Sequence, residues 1–320
     1  MGMELDSPLI VGSCGLTRNI EGVEKCAQAG AGAVVLKSIF EEVIAHETDS
    51  EISAAEESLW HPEALQYTRT YARENEVSRY LKLVDETRKK VEIPVIASVH
   101  CVSAAAWPDF AKRLESAGAH ALELNAFVLP SDPDRTAGQI EQLYGDLAKA
   151  VRDRVNIPVA LKLGSYFSGL ANTARQLSRD GVAALTLFNR FFSTDIDIDS
   201  MELKKGPVLS NPDEFILPLR WISLLHGRVD CDLSATTGVH DAATVIKLLL
   251  AGATTVQVVS ALYKNGVDYI TTLNQQLFAW MEEHEFETVD AFRGLLSHAK
   301  SDNPAAWERV QFMKFSAGVE

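Results

Sequence analysis

The sequence predicts a (β/α)₈ barrel, and three observations lead to this fold class. Apolar, strand-like runs alternate with helix-like stretches eight times along the 320 residues. The strand-like runs are almost continuously apolar, which is typical of parallel strands buried on both faces. Four of them follow a short turn of small residues, in which glycine can adopt the left-handed conformation that ends a helix. These turns are Ala29-Gly30-Ala31, Ala117-Gly118-Ala119, Asp180-Gly181-Val182 and Ala251-Gly252-Ala253.

The predicted strands and helices alternate in chain order. The strands are predicted over 8–12, 32–38, 94–99, 121–127, 158–164, 183–189, 228–234 and 254–260. The helices are predicted near 19–29, 77–91, 104–117, 139–154, 170–180, 212–226, 239–251 and 265–283. A doubly wound open sheet is the alternative architecture. It is disfavoured because Gly12-Ser13-Cys14-Gly15, after the first strand, lacks the GxGxxG pattern of that fold.

Residues 1–320 are expected to form a single domain. Two long segments, 39–76 and 190–211, leave strand ends on the face where barrels of this type hold their active site, and both are predicted to be loops there. Residues 284–320 are predicted to form appended helices near 288–298 and 304–316. In the second loop, three aspartates alternate along the chain and either bind a cation or form a solvated acidic surface. They are Asp195, Asp197 and Asp199.

Composition argues against several classes of function. The net charge is −14, from 30 Lys and Arg against 44 Asp and Glu, so nucleic-acid binding is not expected. Apolar runs are too short for a membrane span, and the first residues do not resemble a signal peptide, so a cytoplasmic protein is expected. The cysteines form no CxxC pair, and neither a disulfide framework nor a metal or iron–sulfur site is expected. They are Cys14, Cys26, Cys101 and Cys231.

Polar residues occur at the ends of several predicted strands. Lys37 and Asn189 each follow an apolar run. Asn125 directly follows Leu122-Glu123-Leu124, and Lys162 lies between two leucines. A buried lysine without a partner costs several kcal/mol, so each lysine must either pair with a carboxylate such as Glu123 or meet a ligand. Because the C-terminal strand ends of a barrel converge, these four residues together predict a bound anionic or polar ligand.

Two further segments have the character of a phosphate site. Thr236-Thr237-Gly238-Val239 ends the seventh strand, and Ser260-Ala261 ends the eighth, each at the start of a predicted helix. Backbone N–H groups and hydroxyls at such positions bind phosphate in many barrels. An ordinary turn at Thr237-Gly238 is the alternative interpretation.

From Pro8 to about Ser297, the sequence resembles the dihydroorotate dehydrogenase family, which are FMN-dependent (β/α)₈ barrels. The resemblance is to the soluble class that works without an iron–sulfur subunit. The segments that match are in family order and at family-like spacing. They are Gly12-Ser13-Cys14-Gly15, Leu36-Lys37-Ser38, Glu123-Leu124-Asn125, Leu161-Lys162-Leu163, Tyr166-Phe167, Phe188-Asn189, Thr237-Gly238-Val239 and Val256-Gln257-Val258-Val259-Ser260-Ala261-Leu262.

The resemblance implies how FMN would be bound. It places Lys37 at the active-site end of the flavin, Ser38 in a hydrogen bond to the ring, and Asn125 and Lys162 against the isoalloxazine. The lysine at the position of Lys162 stabilises negative charge on the reduced ring, which explains a buried cation there. The other implied cofactor positions are Ser13, Cys14, Asn189, Thr237, Gly238 and Ser260. The implied substrate positions are Lys37, Glu57, Asn125 and Asn189.

The substrate side departs from the family pattern. The family loop after the fourth strand supplies a catalytic base, but counting from Asn125 the base position is Val128, and aligning the prolines gives Leu129. Neither side chain can accept a proton. A carboxylate, Glu57, stands where the family has an amide that binds the substrate, and it would repel the carboxylate of orotate. Candidates for a replacement base are Ser131 and His61; the alternative interpretations are a turn-forming serine and a surface-loop histidine.

The resemblance thus implies an FMN-dependent oxidoreductase acting on CH–CH bonds, similar to dihydroorotate dehydrogenase, with dihydroorotate and orotate of pyrimidine metabolism as the family's substrate pair. A homodimer is expected from the family. One alternative is a flavin-binding barrel that has lost or changed its catalysis. A second is a phosphate-binding lyase or isomerase without flavin, in which Lys162 or Lys37 is the catalytic amine.

Overall fold

The structure, a computed structural model, describes residues 1–40, 62–100, 107–126, 128–191 and 193–309. Within these ranges, eleven strands are present. In chain order they are β1 (Leu9–Val11), β2 (Ala33–Val35), β3 (Ile39–Phe40), β4 (Val95–His100), β5 (Ala121–Asn125), β6 (Val159–Leu163), β7 (Ala184–Leu187), β8 (Thr194–Asp197), β9 (Glu202–Lys205), β10 (Asp232–Ala235) and β11 (Thr255–Val258).

Eight of the described strands close into a parallel barrel. Their order around the ring is β2-β1-β11-β10-β7-β6-β5-β4, and a pairing between β2 and β4 completes the circle. Every pairing between these strands is parallel, which requires a crossover connection after each strand. The predicted (β/α)₈ barrel is confirmed.

Helices cover the outside of this barrel. Those of the repeating units are Ile20–Gln28, Pro62–Lys90, Trp107–Ser116, Ala137–Arg152, Leu170–Arg179, Ile216–Leu225, Ala242–Ala251, Ser260–Asn265 and Tyr269–Glu283, followed by the short C-terminal helices Val289–Phe292 and Ala305–Glu308. None of the helices in the described ranges combines the length and apolar character that a membrane crossing requires.

The helix ends follow from local sequence. The side chains of Asn19 and Asp241 each accept a hydrogen bond from a backbone N–H in the first turn of the following helix. Thr136 and Gln139 form a reciprocal capping box at the start of Ala137–Arg152. The four glycines predicted to be left-handed all have positive φ, from +90° to +119°. They are Gly30, Gly118, Gly181 and Gly252.

The barrel lumen is apolar at its N-terminal end and polar above. Ile10, Val35 and Ile96 belong to a small buried cluster, and the N-terminal segment packs against this cluster through Met1, Met3 and Leu5. The segment alternates between half-buried and exposed residues, as an extended chain lying across the barrel would. A layer of buried polar side chains, Glu123, Thr186, Ser234 and Gln257, lies among the strands above it.

A bulge separates β2 from its continuation β3. Val35 aligns with Ile96 and Ile39 aligns with Val99, so three residues of one strand face two of the other. The hydroxyl of Tyr80, from the helix Pro62–Lys90, fills the gap: it accepts from Ser98 N at 2.9 Å and donates to Ser98 O at 3.0 Å. Such bulges redirect side chains at barrel rims, and this one contains Lys37.

Several boundaries differ from the predictions. The helix predicted near 77–91 begins at Pro62, so the end of the predicted loop 39–76 is helical; residues 41–61 lie outside the described ranges. The seventh barrel strand begins at Asp232 rather than near 228, because a left-handed turn at Gly227 delays it. The appended helices are single short turns, shorter than predicted, and residues 310–320 are not described.

The predicted loop 190–211 contains an antiparallel hairpin, β8 with β9. Its aspartates alternate with isoleucines, which is the period of a strand. Lys204 Nζ lies 3.7 Å from carboxylate oxygens of both Asp195 and Asp197, so the acidic face is balanced by a lysine from the opposite strand. In the described residues, no three His, Cys, Asp or Glu side chains are grouped so that they could hold a metal ion.

Candidate active site

A cavity of about 630 Å³ lies at the mouth formed by the C-terminal strand ends. Its wall comes from residues that directly follow β1, β7, β10 and β11, together with Lys162 near the end of β6. Seven of the ten positions predicted to bind a cofactor line it: Ser13, Cys14, Lys162, Asn189, Thr237, Gly238 and Ser260.

The other three predicted positions lie directly beside this wall. Ser38 Oγ is 2.9 Å from Ser13 Oγ, and Asn189 Nδ2 donates to Asn125 Oδ1 at 2.7 Å. Lys37 precedes Ser38 in the bulge, and its side chain is exposed at the rim. The structure therefore brings all ten predicted cofactor positions to one end of the barrel.

Lys162 reaches the cavity from within a polar network. Its Nζ donates to Gln257 Oε1 at 3.2 Å and lies 3.8 Å from Glu123 Oε1. The other oxygen of that carboxylate accepts from Gln257 Nε2 at 2.6 Å and from Thr186 Oγ1 at 3.0 Å. From the sequence, we expected this buried lysine either to pair with a carboxylate such as Glu123 or to meet a ligand. The structure shows the pairing with Glu123, and the lysine also lines the cavity.

Strand register places a further residue, His100, at this mouth, as its position after the third predicted strand indicates, although the sequence alone provides only weak evidence that it is reactive. His100 aligns with Asn125, and Asn125 aligns with Lys162, on three neighbouring strands about 4.8 Å apart. Ile96 faces the lumen, and His100 is four residues further along the same strand, so it shares that face. The signal for His100 in the sequence is its position directly after the predicted strand 94–99.

The segment 206–210 closes one side of the cavity, and Arg190 holds it in place. The guanidinium donates to Val208 O at 2.8 Å and to Pro207 O at 3.1 Å, and it binds Glu214 Oε2 at 2.8 Å. Burial alone would raise the pKa of Glu214, but the hydrogen bonds from Arg190 and from the Asn211 N–H hold this pKa below its usual value. Sequence reasoning missed Arg190 because its partners are distant along the chain.

The predicted phosphate end is tightly built. Thr237 has φ +80° and donates from Oγ1 to Phe188 O at 3.1 Å, while Gly238 has φ +75°. Ser260 Oγ accepts from Ser210 N at 2.9 Å, and Ser210 Oγ lies 3.1 Å from His240 Nε2. Burial and the nearby Lys264 ammonium lower the pKa of His240, which favours the neutral imidazole at neutral pH.

Cys14 is a wall residue rather than a reactive thiol. Burial raises the pKa of the Cys14 thiol, although hydrogen bonds from the backbone around Leu16 and Thr17 act in the opposite direction. The thiolate is the nucleophilic form of cysteine. Cys14 is therefore protonated at neutral pH and supplies shape to the cavity.

Comparison with known proteins identifies the family. The profile of the family described as dihydroorotate dehydrogenase matches residues 72–281. Dihydroorotate dehydrogenase B (NAD⁺), catalytic subunit, of Thermoplasma volcanium is 26% identical over 318 residues, covering 92% of this chain and 96% of that protein. The protein of the same name from Methanothermobacter thermautotrophicus is 31% identical over 229 residues, covering 67% and 71%. The chain belongs to the dihydroorotate dehydrogenase family.

Similarity extends to a second activity. The chloroplastic dihydropyrimidine dehydrogenase (NADP⁺) of Arabidopsis thaliana is 23% identical over 337 residues, covering 92% of this chain and 75% of that protein. Membership of the dihydroorotate dehydrogenase family confirms the predicted resemblance and, with it, the prediction of an oxidoreductase of that type.

The structure describes both positions, Val128 and Leu129, at which the family resemblance predicts a base, and both side chains are apolar. Val128 is partly buried against the core, and its N–H donates to Tyr144 OH at 3.2 Å. Ser131 follows on an exposed turn, where its N–H donates to Leu129 O at 2.8 Å, and it does not line the cavity. The other two predicted positions on the substrate side, Glu57 and His61, lie outside the described residues.

Proposed function

We propose that this chain is an FMN-dependent oxidoreductase that acts on a CH–CH bond of a small polar substrate other than dihydroorotate. The observation that carries the proposal is the wall of a single cavity, which combines the cation of Lys162 with the donor groups of Gly238 and Ser260. FMN combines an anionic phosphate with a ring that becomes negative on reduction, so it needs positive or hydrogen-bonding groups at both ends.

The residues present fit FMN. The volume of about 630 Å³ lies within the range of roughly 300–1,000 Å³ that is usual for ligand pockets. Gly238 leaves its N–H uncovered by a side chain, and Ser260 begins the helix Ser260–Asn265, so backbone donors and a hydroxyl are available for a phosphate. Lys162, Asn125 and Asn189 supply a cation and amides for the polar edge of a ring.

When bound, FMN supplies the hydride acceptor. Lys162 would offset negative charge at the ring, and the hydrogen-bonded pair of Asn125 and Asn189 would orient the ring or the substrate through its amide groups. Ser13 and Ser38 link the cavity wall to the bulge that contains Lys37. Lys37 would bind the substrate from the rim.

The proposed reaction also needs a side chain that takes the substrate proton in place of the family's base. A positioned base contributes about 10²–10⁴-fold to a rate, and Val128 cannot provide one. Ser131 and His61 are the candidates from the sequence. His100 aligns with Asn125 in the strand register, whereas Ser131 lies on an exposed turn, so His100 is a third candidate. Exchanging His61 for Asn, His100 for Asn and Ser131 for Ala, one at a time, would show which of the three residues carries the proton.

The test begins with the cofactor. Purified protein, stripped and then titrated with FMN, should bind it and take on the flavin absorbance. Failure to bind added FMN would exclude the flavin function and leave the phosphate-binding lyase or isomerase as the surviving alternative.

The second step addresses the substrate. Anaerobic mixing with dihydroorotate should bleach the flavin slowly or not at all, because the base position is Val128. Bleaching at typical enzymatic rates, on the order of 1–10³ s⁻¹, would contradict this expectation. Dihydrouracil, a simple dihydropyrimidine, is the next substrate to test in view of the Arabidopsis relative. A protein that binds FMN but is reduced by neither compound would favour a barrel with lost or changed catalysis.

The assembly state belongs to the same proposal. We propose a cytoplasmic homodimer without an iron–sulfur subunit, although two relatives are named as catalytic subunits. Light scattering on the purified protein should give twice the 35.1 kDa of one chain. Co-purification with a second, iron-containing polypeptide from the native source would overturn this part of the proposal.

A further inference from the structure

Two charged side chains from neighbouring strands meet inside the barrel. Glu123, on β5, is 2% exposed, and Lys162, on β6, is 12% exposed. Isolated charges in such surroundings are costly, so each requires the other. Within the described part of the chain, Glu123 Oε1 accepts no hydrogen bond; its near neighbour is Lys162 Nζ at 3.8 Å. This oxygen of Glu123 therefore faces the ammonium of Lys162 and, among the described residues, is not shared with a hydrogen-bond donor.

Gln257 fixes the orientation of this pair. Its Nε2 donates to Glu123 Oε2 at 2.6 Å, and its Oε1 accepts from Lys162 Nζ at 3.2 Å. The opposite orientation of the amide would set an NH₂ group against an ammonium and an oxygen against a carboxylate. In the observed orientation, the NH₂ group of the amide meets the carboxylate and its oxygen meets the amine of Lys162, so both polar groups of Gln257 are satisfied.

The ammonium faces the cavity and the carboxylate lies behind it. Lys162 lines the cavity, whereas Glu123 does not and instead borders the small N-terminal space in the lumen. The pair is a dipole whose positive end points at the cavity. From these positions we infer that Glu123 is the built-in counter-ion of Lys162 and sets the redox potential of a flavin in the cavity by weakening the positive charge presented to it.

This inference rests on the proposed binding of FMN and concerns a positioning residue, since Glu123 would act through Lys162 without touching the cofactor. Removing the carboxylate charge while keeping the side-chain shape leaves the ammonium uncompensated. A stronger positive charge favours the reduced, more negative flavin. The midpoint potential of the bound flavin should therefore rise.

The decisive variant is Glu123→Gln, reconstituted with FMN and compared with the wild-type protein by anaerobic redox titration against a reference dye. We expect the equilibrium constant for two-electron reduction to increase by about tenfold or more, which corresponds to about 30 mV. An unchanged or lower potential would overturn the inference. Because no substrate is involved, the result does not depend on catalysis.

Two further variants separate charge from packing. Thr186→Val removes the 3.0 Å hydrogen bond to the same carboxylate but leaves its charge, so the potential should stay at the wild-type value. A rise equal to that of Glu123→Gln would show that lumen repacking is the cause, and would also overturn the inference. Glu123→Asp keeps the charge and withdraws it from Lys162, so it should give a smaller rise.

The inference about Glu123 can still be tested if the Glu123→Gln variant does not fold. If Glu123→Gln yields no folded protein, Glu123→Asp decides, and a potential equal to or below the wild-type value counts against the inference. Failure of the wild-type protein to bind FMN would instead refute the proposed function. The two ideas therefore fail in distinguishable experiments.

Discussion

At the scale of single residues, positions 237 and 238 show how closely the backbone is packed at the predicted phosphate end. A Cβ built on Gly238 would lie 2.1 Å from the backbone nitrogen of Phe215. Backbone atoms cannot move aside as a flexible side chain can. Thr237, at φ +80°, adopts a conformation that is strained for a β-branched residue, and its hydroxyl compensates in part through the bond to Phe188 O.

We therefore predict that Gly238→Ala destabilises the protein by more than about 4 kcal/mol or prevents folding. The matched control is Gly227→Ala, because Gly227 has the same φ of +75° but its Cβ would meet only the Cβ of Ala299 at 3.9 Å. The control variant should lose only about 1–2 kcal/mol in free energy of unfolding, which is the cost of placing a residue with a Cβ in the left-handed conformation. Urea unfolding of both variants measures the difference, and equal losses would show that the approach of Phe215 does not matter.

At the scale of elements, the bulge between β2 and β3 depends on a helix outside the barrel. An extra residue in one strand leaves the N–H and C=O of Ser98 without partners in the ladder. Tyr80 provides both partners through a single hydroxyl and is itself buried. The rim that contains Lys37 and Ser38 is therefore stabilised by the helix Pro62–Lys90 as well as by strand pairing.

Tyr80→Phe should lower the free energy of unfolding by about 1–3 kcal/mol, because it leaves two buried backbone groups unsatisfied. Tyr166→Phe serves as the control, since Tyr166 is 53% exposed and its change should stay within about 0.5 kcal/mol. Denaturant titration with a constant m-value makes the comparison. If both variants unfold at the same midpoint, the hydroxyl of Tyr80 does not support the bulge.

At the scale of the whole molecule, the barrel has a closed end and an open end. Met1, Met3 and Leu5 cover the apolar cluster at the N-terminal end of the lumen, and the amino group of Met1 pairs with Asp232. The cavity opens at the opposite, C-terminal end. The N-terminal segment thus keeps water away from the lower side of the layer that contains Glu123.

Leu5→Ala should cost about 1–2 kcal/mol of stability, since it removes part of a half-buried apolar side chain from this cover. Glu4→Ala, one residue earlier and facing outward, should change stability by less than about 0.5 kcal/mol. Thermal unfolding of the two variants tests whether half-buried and exposed side chains alternate along the N-terminal segment. A larger loss from Glu4→Ala would contradict the placement of the segment.

The fold and the location of the site could be predicted from the sequence because both depend on local patterns. Continuous apolar runs and left-handed glycines such as Gly30 and Gly252 define parallel strands and helix ends without knowledge of distant residues. Once the strands are parallel and the barrel closes, their C-terminal ends must converge. Lys37, Asn125 and Lys162 could therefore be assigned to one mouth before any distance was known.

The same local patterns also had limits. The hairpin of β8 and β9 lies in a segment predicted as a loop, and the alternation of its aspartates indicated an extended chain but not a strand partner. Ser131 was proposed as a base from its position after Asn125, but its turn is exposed. Local sequence does not report which way a turn directs its side chains.

What the sequence determined by itself is the (β/α)₈ barrel and the face on which the candidate site lies. What only the tertiary structure decided is which polar groups meet. Glu123 and Gln257 are 134 residues apart and come into contact because barrel closure sets the register of eight strands at once. That register is a property of the closed ring rather than of any segment, and it also places His100 beside Asn125.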